Sequence, residues 1–229
     1  MESIKEIELI NKAFNNNVNK IDLVSETSNR VYKVETKNNE VVYAKFYLNK
    51  LSHIDHEINL YNLIDSKYLK EVIMISDSKD FAIYKELKGK TLDELTKKEL
   101  IEYKEQIIDS LIYFYETIGK NKVNGYGLLD KDMNGTSKDF LEFILNRQKD
   151  TELVLKDYQV LNSAFTNIYE KYKYLLVGDN SLVPIDTNVK NIMLTNNGDI
   201  KFIDPGELVS GPILMGYGDF VAHTYNRVI

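Results

Sequence analysis

The chain has 229 residues, 43% apolar and 28% charged, with no cysteine and a formal net charge of −6. That balance is globular rather than disordered, and the length suits one large domain or two small lobes. It excludes disulfides and thiolate metal sites, a nucleic-acid backbone as main partner, which would ask for a basic face, and a membrane span, because no apolar run nears the ~20 residues that cross a bilayer. The first residues carry no basic or apolar leader, so the sequence reads as cytoplasmic. The acidic balance is compatible with a cationic small molecule as partner.

Ile4, Ile7, Ile10 and Phe14 fall on one stripe and predict a helix over 2–14, ended by Asn15-Asn16-Asn17. Strand runs follow at 21–24, 30–36 and 40–47, the last two flanking Asn38-Asn39, a hairpin signal. Between the first two runs lies Ser25-Glu26-Thr27-Ser28-Asn29, a plain polar turn or a loop that covers phosphates. Lys45 sits among Tyr43, Ala44 and Phe46 in a strand that reads as buried. A helix over 52–64, with Ser52 as N-cap and Asp55 in its first turn, puts Glu57 on an apolar face with Ile54 and Tyr61. An inward carboxylate needs a cation, and Lys45 is the candidate. The rival readings are a solvated strand lysine and a glutamate at an amphipathic edge.

Two more strands are predicted at 71–76 and 81–86. Beyond them the pattern turns helical, at 100–118, 138–148 and 156–175, so one boundary near residue 86 divides the chain into 1–86 and 87–229. The aromatic residues of the second part read as core packing. None of the three histidines has zinc-site spacing.

The stretch from Leu182 to Gly206 carries the chemistry. Ile192-Met193-Leu194 leads into Asn197-Gly198, and Ile200, Phe202 and Ile203 lead out. A two-residue loop at Asn197-Gly198 would pair Asn196 with Asp199, Ile192 with Ile203 and Asn191 with Asp204. Opposed side chains stand ~5 Å apart on one face, and an amide oxygen beside a carboxylate suits Mg²⁺. Asp186 lies five residues before Asn191 on a non-helical connection. Asp-x-x-x-x-Asn, hairpin, Asp is the arrangement of ATP phosphotransferases, in which the first Asp takes the acceptor's proton and the other two residues hold Mg²⁺. The bland alternative is a surface hairpin with polar turn residues.

This segment resembles the catalytic region of the aminoglycoside phosphotransferase family, which has the protein-kinase-like fold. Pro184, Ile185, Asn188 and Lys190 depart from that family's pattern, and Pro205-Gly206 follows Asp204 where protein kinases carry Phe-Gly. The resemblance implies a bilobal α+β fold, with a small antiparallel-sheet N-lobe and a mainly helical C-lobe. It makes Asp186 the catalytic base and Asn191 and Asp204 the metal ligands. It also makes Lys45 and Glu57 the phosphate-positioning pair and Ser28 and Asn29 part of the phosphate loop, from Ser28-Asn29-Arg30-Val31-Tyr32-Lys33-Val34. Lys85-Glu86-Leu87-Lys88-Gly89-Lys90-Thr91-Leu92 is similar to the family's hinge, which implies that backbone groups of Lys85 and Leu87 meet adenine; an interlobe linker would look the same. Gly216-Tyr217-Gly218-Asp219 matches a region whose Asp fixes the catalytic loop, so Asp219 supports Asp186 or caps a terminal helix. The implied activity is ATP- and Mg²⁺-dependent phosphoryl transfer, with GTP the other nucleotide left open, to a hydroxyl of an aminoglycoside-like antibiotic, a sugar or an amino alcohol. The alternatives are a protein Ser/Thr kinase and a pseudokinase binding module. Ten residues follow Asp219, fewer than in such relatives, which implies an open acceptor cleft, in a compact chain walled by residues 125–175 or in one completed by a partner or second copy; Asp130, Asp132, Glu142, Glu207 and Asp219 favour a cationic acceptor.

Overall fold

Strand alternation organises the first half of the chain. In residues 41–47 even positions face one way and odd positions the other, so Val42, Ala44 and Phe46 share a face opposite Tyr43, Lys45 and Tyr47. In the computed structural model both faces are covered. It describes residues 2–27, 29–48, 53–130, 132–152, 158–175, 180–204 and 207–228. The elements are α1 (Glu2–Ala13), β1 (Val18–Glu26), β2 (Asn29–Thr36), β3 (Val41–Tyr47), α2 (His53–Leu63), β4 (Val72–Ile75), β5 (Phe81–Lys85) and β6 (Gly89–Thr91). Then come α3 (Lys97–Glu102), α4 (Lys104–Gly119), β7 (Tyr126–Leu129), β8 (Gly135–Ser137), α5 (Phe140–Glu152) and α6 (Tyr158–Tyr172). Last are β9 (Ser181–Ile185), β10 (Ile192–Thr195), β11 (Ile200–Phe202), β12 (Glu207–Gly211) and α7 (Ile213–Val228). Among the described residues no helix is long and apolar enough to cross a membrane. Ser28, the N-cap candidate Ser52, and Pro205-Gly206 lie outside the described residues.

The chain forms two compact units: residues 1–91 with 193–203, and residues 92–192 with 204–229. Where the sequence suggests one cut at residue 86, β6 remains with the first unit and the hairpin 193–203 joins it, because β10 pairs antiparallel with β6.

The first unit is built on a five-stranded sheet in the order β1-β2-β3-β5-β4, all antiparallel. One face carries Tyr32, Val34, Val42, Ala44, Phe46, Phe81 and Ile83, packed with Ile10 of α1. Phe46 stacks on Phe81 at 4.8 Å. The other face carries Tyr47, Ala82 and Tyr84 against Ile54 of α2, and this is the side to which alternation sends Lys45. The expected apolar stripe of α1 is only half right. Ile10 is fully buried, but Ile4 and Ile7 are exposed, and the inward position is taken by Glu6. Its carboxylate accepts from Arg30 at 2.9 Å and from the Tyr32 hydroxyl at 2.6 Å, which compensates its burial.

Both asparagine hairpins adopt a loop one residue longer than the two-residue turn. Thr195 donates to the Asp199 carbonyl at 2.8 Å and accepts from the Gly198 N–H at 2.9 Å. The loop is thus residues 196–198, with Gly198 at φ +87°, where glycine meets no Cβ penalty. Thr36 and Glu40 pair in the same way around Asn39 at φ +61°. The reason is burial. With Thr195 opposite Asp199, Leu194 falls opposite Ile200, and both are buried; the two-residue loop would have set Leu194 against the partly exposed Lys201.

The second unit has a four-stranded sheet, β8-β7-β12-β9, with Val183 and Val209 packed against Phe140 and Phe143 of α5. The helix expected over 100–118 opens at Tyr103 (φ −98°, ψ 9°) into α3 and α4, although the hydrogen-bond ladder runs across the break. Thr96 and Glu99 form a capping box at the start of α3.

Candidate active site

In the second unit, β9 is a buried strand that pairs with β12 and delivers the chain to Asp186. Asp186 takes a left-handed backbone conformation, φ +60°, which asparagine and aspartate tolerate better than most residues but which still costs about 1–3 kcal/mol. Three side chains hold it there. Asp219 accepts the Asp186 N–H at 2.7 Å. Asn191 donates to the Asp186 carbonyl at 3.1 Å. Asn188 donates to the same carbonyl and to the carboxylate Oδ1, each at 3.3 Å. Asp186 itself is exposed, with its carboxylate near solvent and Thr187 behind it fully buried beside the Tyr115 hydroxyl.

Asp219 lies within α7, two turns from its start, so it caps no helix. It reaches Asp186 because Gly216, one turn earlier, lets α7 approach β9. A Cβ on Gly216 would stand 2.8 Å from both the Tyr115 ring and Val183.

Asn191 ends a single 3-10 turn, residues 189–191, whose N-cap is Asn188. Its amide nitrogen is engaged by Asp186, which leaves the oxygen end for a cation. The observed hairpin register removes the ladder opposition expected for Asn191 and Asp204; Asp204 instead lies two residues past the end of β11. Among the described residues no three His, Cys, Asp or Glu side chains cluster as a metal site. An amide oxygen and one carboxylate still fit Mg²⁺, which takes few protein ligands and completes its shell with water and phosphate.

The first unit holds the other half of the expected residues. Lys45 and Glu57, each 5% exposed, form an ion pair at 3.2 Å. Sequence reasoning missed three neighbours. Lys70 pairs with the second oxygen of Glu57 at 3.0 Å. The Tyr47 hydroxyl donates to Glu57 at 2.7 Å and meets the Tyr84 hydroxyl at 2.6 Å. Burial would push the Glu57 carboxyl up, but Lys70, Lys45 and the two tyrosines outweigh it and hold the pKa down at about 2. Burial and the Glu57 charge push Tyr84 well above its usual range. Tyr47 was legible as Lys45's neighbour two residues along the same strand face. Lys70, in an irregular segment before β4, left no periodic signal.

Asn29 opens β2 opposite Tyr47. At Lys85 the backbone N–H already donates to the Glu71 carbonyl at 2.9 Å, and the side chain pairs with Glu71 at 2.9 Å. Leu87 follows in no regular element. Of the acidic residues expected near an acceptor, Asp130 accepts two backbone N–H groups in its own loop, and Glu142 accepts the Lys138 N–H at 2.8 Å.

The sequence matches no family model and no curated protein. Solved structures do share its fold. A thermostable mutant of aminoglycoside phosphotransferase APH(4)-Ia, in ternary complex with AMP-PNP and hygromycin B, superposes with a TM-score of 0.69 at 18% identity, covering 91% of this chain and 73% of that one. Choline kinase LicA from Streptococcus pneumoniae gives 0.68 at 14%, covering 97% and 75%. A choline/ethanolamine kinase family protein from Mesorhizobium loti gives 0.65 at 7%, covering 97% and 71%. The chain therefore has the kinase-like phosphotransferase fold of these proteins.

Proposed function

We propose that the chain is a phosphotransferase that moves the γ-phosphoryl group of ATP to a hydroxyl of a small molecule. The observation that carries this reading is the support around Asp186: a solvent-facing carboxylate in a strained turn, fixed by Asp219, Asn191 and Asn188. Backbone strain held in place by three side chains supports reading this position as functional.

Asp186 accepts the proton of the acceptor hydroxyl as that oxygen bonds to the γ-phosphorus. The bond from phosphorus to the bridging oxygen breaks, and ADP leaves. Asn191 and Asp204 are the residues that would hold Mg²⁺. Once bound, the ion would offset negative charge on the phosphates. Lys45, oriented by Glu57, donates to phosphate oxygens. At Lys85 an adenine contact falls to the carbonyl, because the N–H serves the sheet, and Leu87 would supply the N–H. Asn29, the first residue of β2, and Ser28 before it would contribute polar groups to the phosphates.

The solved relatives name the acceptor classes: one is complexed with hygromycin B, and the others are choline or choline/ethanolamine kinases. We place an aminoglycoside-like antibiotic first and an amino alcohol or sugar next. The test is release of ADP or GDP from ATP or GTP with Mg²⁺, across a panel of aminoglycosides, choline, ethanolamine and sugars. Acceptor-dependent release is expected with one class. Release that no acceptor raises above the acceptor-free rate would overturn the reading.

A further inference from the structure

Glu57 is shared. Lys45 approaches one of its oxygens at 3.2 Å and Lys70 the other at 3.0 Å, while the Tyr47 hydroxyl adds a third contact at 2.7 Å. A glutamate paired with one lysine would be left as a buried, poorly compensated charge whenever that lysine turned to another ligand, an expensive state. Here the two lysines differ in what holds them. The Lys70 ammonium sits 3.6 Å from the centroid of the Tyr84 ring, a favourable cation–π distance. Its backbone carbonyl accepts the Tyr61 hydroxyl at 2.7 Å. Tyr61 is one turn from Glu57 on α2, so the helix grips Lys70 at its carbonyl and at its ammonium. Lys45 stands on a different element, β3, with its ammonium at the longer 4.9 Å from the Tyr47 ring.

We propose that Lys70 is a positioning residue for nucleotide binding: it keeps Glu57 compensated and α2 in place, so that Lys45 can aim its ammonium at the phosphoryl oxygens of a nucleoside di- or triphosphate. An ammonium has three donors on a flexible stem, so Lys45 serves Glu57 and a phosphate together only when Glu57 does not depend on it. Without Lys70, Lys45 is drawn back to the carboxylate. The proposal rests on the reading of Lys45 as a phosphate ligand.

Calorimetric titration of AMP-PNP with Mg²⁺, and of adenosine, into the wild type, Lys70→Met and Lys70→Arg separates the cases. Lys70→Met leaves Lys45 and Glu57 as a one-to-one pair; should it fail to fold, Lys70→Gln, which keeps a donor for Glu57, takes its place with the same expectation. AMP-PNP should bind the uncharged variant about ten- to a hundred-fold more weakly, the loss of one charge-assisted contact, with adenosine unchanged and Lys70→Arg restoring most of the affinity. Undiminished AMP-PNP binding by the uncharged variant would overturn the proposal. So would an equal loss for adenosine, which would mark Lys70 as merely structural. A wild type that binds neither compound would overturn the nucleotide reading of Lys45 as well, a result distinct from the other two.

Discussion

The Glu57 cluster makes a quantitative test of the first unit. Replacing Glu57 with Gln keeps the shape and removes the charge that Lys45 and Lys70 share, both 9% exposed or less. Two routes give the cost. A buried pair broken at one partner typically loses about 3–5 kcal/mol. Independently, the Glu57 pKa falls from 4.5 to about 2 on folding, and at 1.36 kcal/mol per pH unit that is about 3 kcal/mol. For a chain of this length, about 2–4 °C per kcal/mol turns 3 kcal/mol into a loss of about 6–12 °C in Tm at pH 7. The folded pKa is depressed, so the wild type has this stabilisation in full above pH 4.5 and loses it as pH falls toward 2. Among the described residues, Lys45 and Tyr47 of β3, Lys70, and Tyr84 of β5 face Glu57. Scanning calorimetry of wild type and Glu57→Gln at pH 7, 5, 4 and 3 should therefore show a wide gap that narrows below pH 4.5. A gap under about 2 °C at pH 7, or one that stays constant down to pH 3, would refute the reasoning.

Asp186→Asn should lower kcat about 10²–10⁴-fold while nucleotide affinity, read by calorimetry, stays near wild type. Loss of nucleotide binding would instead make Asp186 structural. Asp204→Asn should abolish the Mg²⁺ dependence of nucleotide binding with the circular dichroism spectrum intact; unchanged turnover at saturating Mg²⁺ would sink its assignment as a ligand. Gly216→Val should cost about 1–3 kcal/mol through overpacking, since even the first added carbon lies 2.8 Å from Tyr115 and Val183, and it should lower kcat by moving Asp219 away from Asp186. A variant with wild-type Tm and kcat would show that α7 can shift freely.

Part of the candidate site was legible because its signals are local. The Lys45–Glu57 pair is read from a buried strand followed by an apolar helix face, and the Asp186–Asn191 contact from a five-residue spacing, whereas the hairpin register expected to set Asp204 opposite Asn191 is not the one formed. A charged residue amid an apolar pattern announces that a partner exists, but not which residue supplies it. The same logic misled at α1, where Ile4 and Ile7 look like core. The sheet there takes Glu6 instead, because Arg30 and Tyr32 on β2 supply its partners. Their contact with α1 spans more than twenty residues and leaves no periodic trace.

The hairpins show where the division lies. An Asn-Gly or Asn-Asn pair between apolar runs determines that a turn forms, since few residues tolerate positive φ. Whether the loop holds two residues or three depends on which register buries Leu194 and Ile200 together, and that is decided by what packs against the strands. Likewise the sequence determined that Asp219 follows Gly216 at one helical turn. Only the tertiary structure decided that this turn lies against β9, close enough for a carboxylate to hold the Asp186 N–H. Lys70 is the extreme case: nothing in its irregular segment marks it, and it matters only because folding brings its ammonium to the far oxygen of a buried glutamate. Local conformational preference is written residue by residue. Charge compensation in a core is a property of distances between distant segments, and those exist only once the chain has folded.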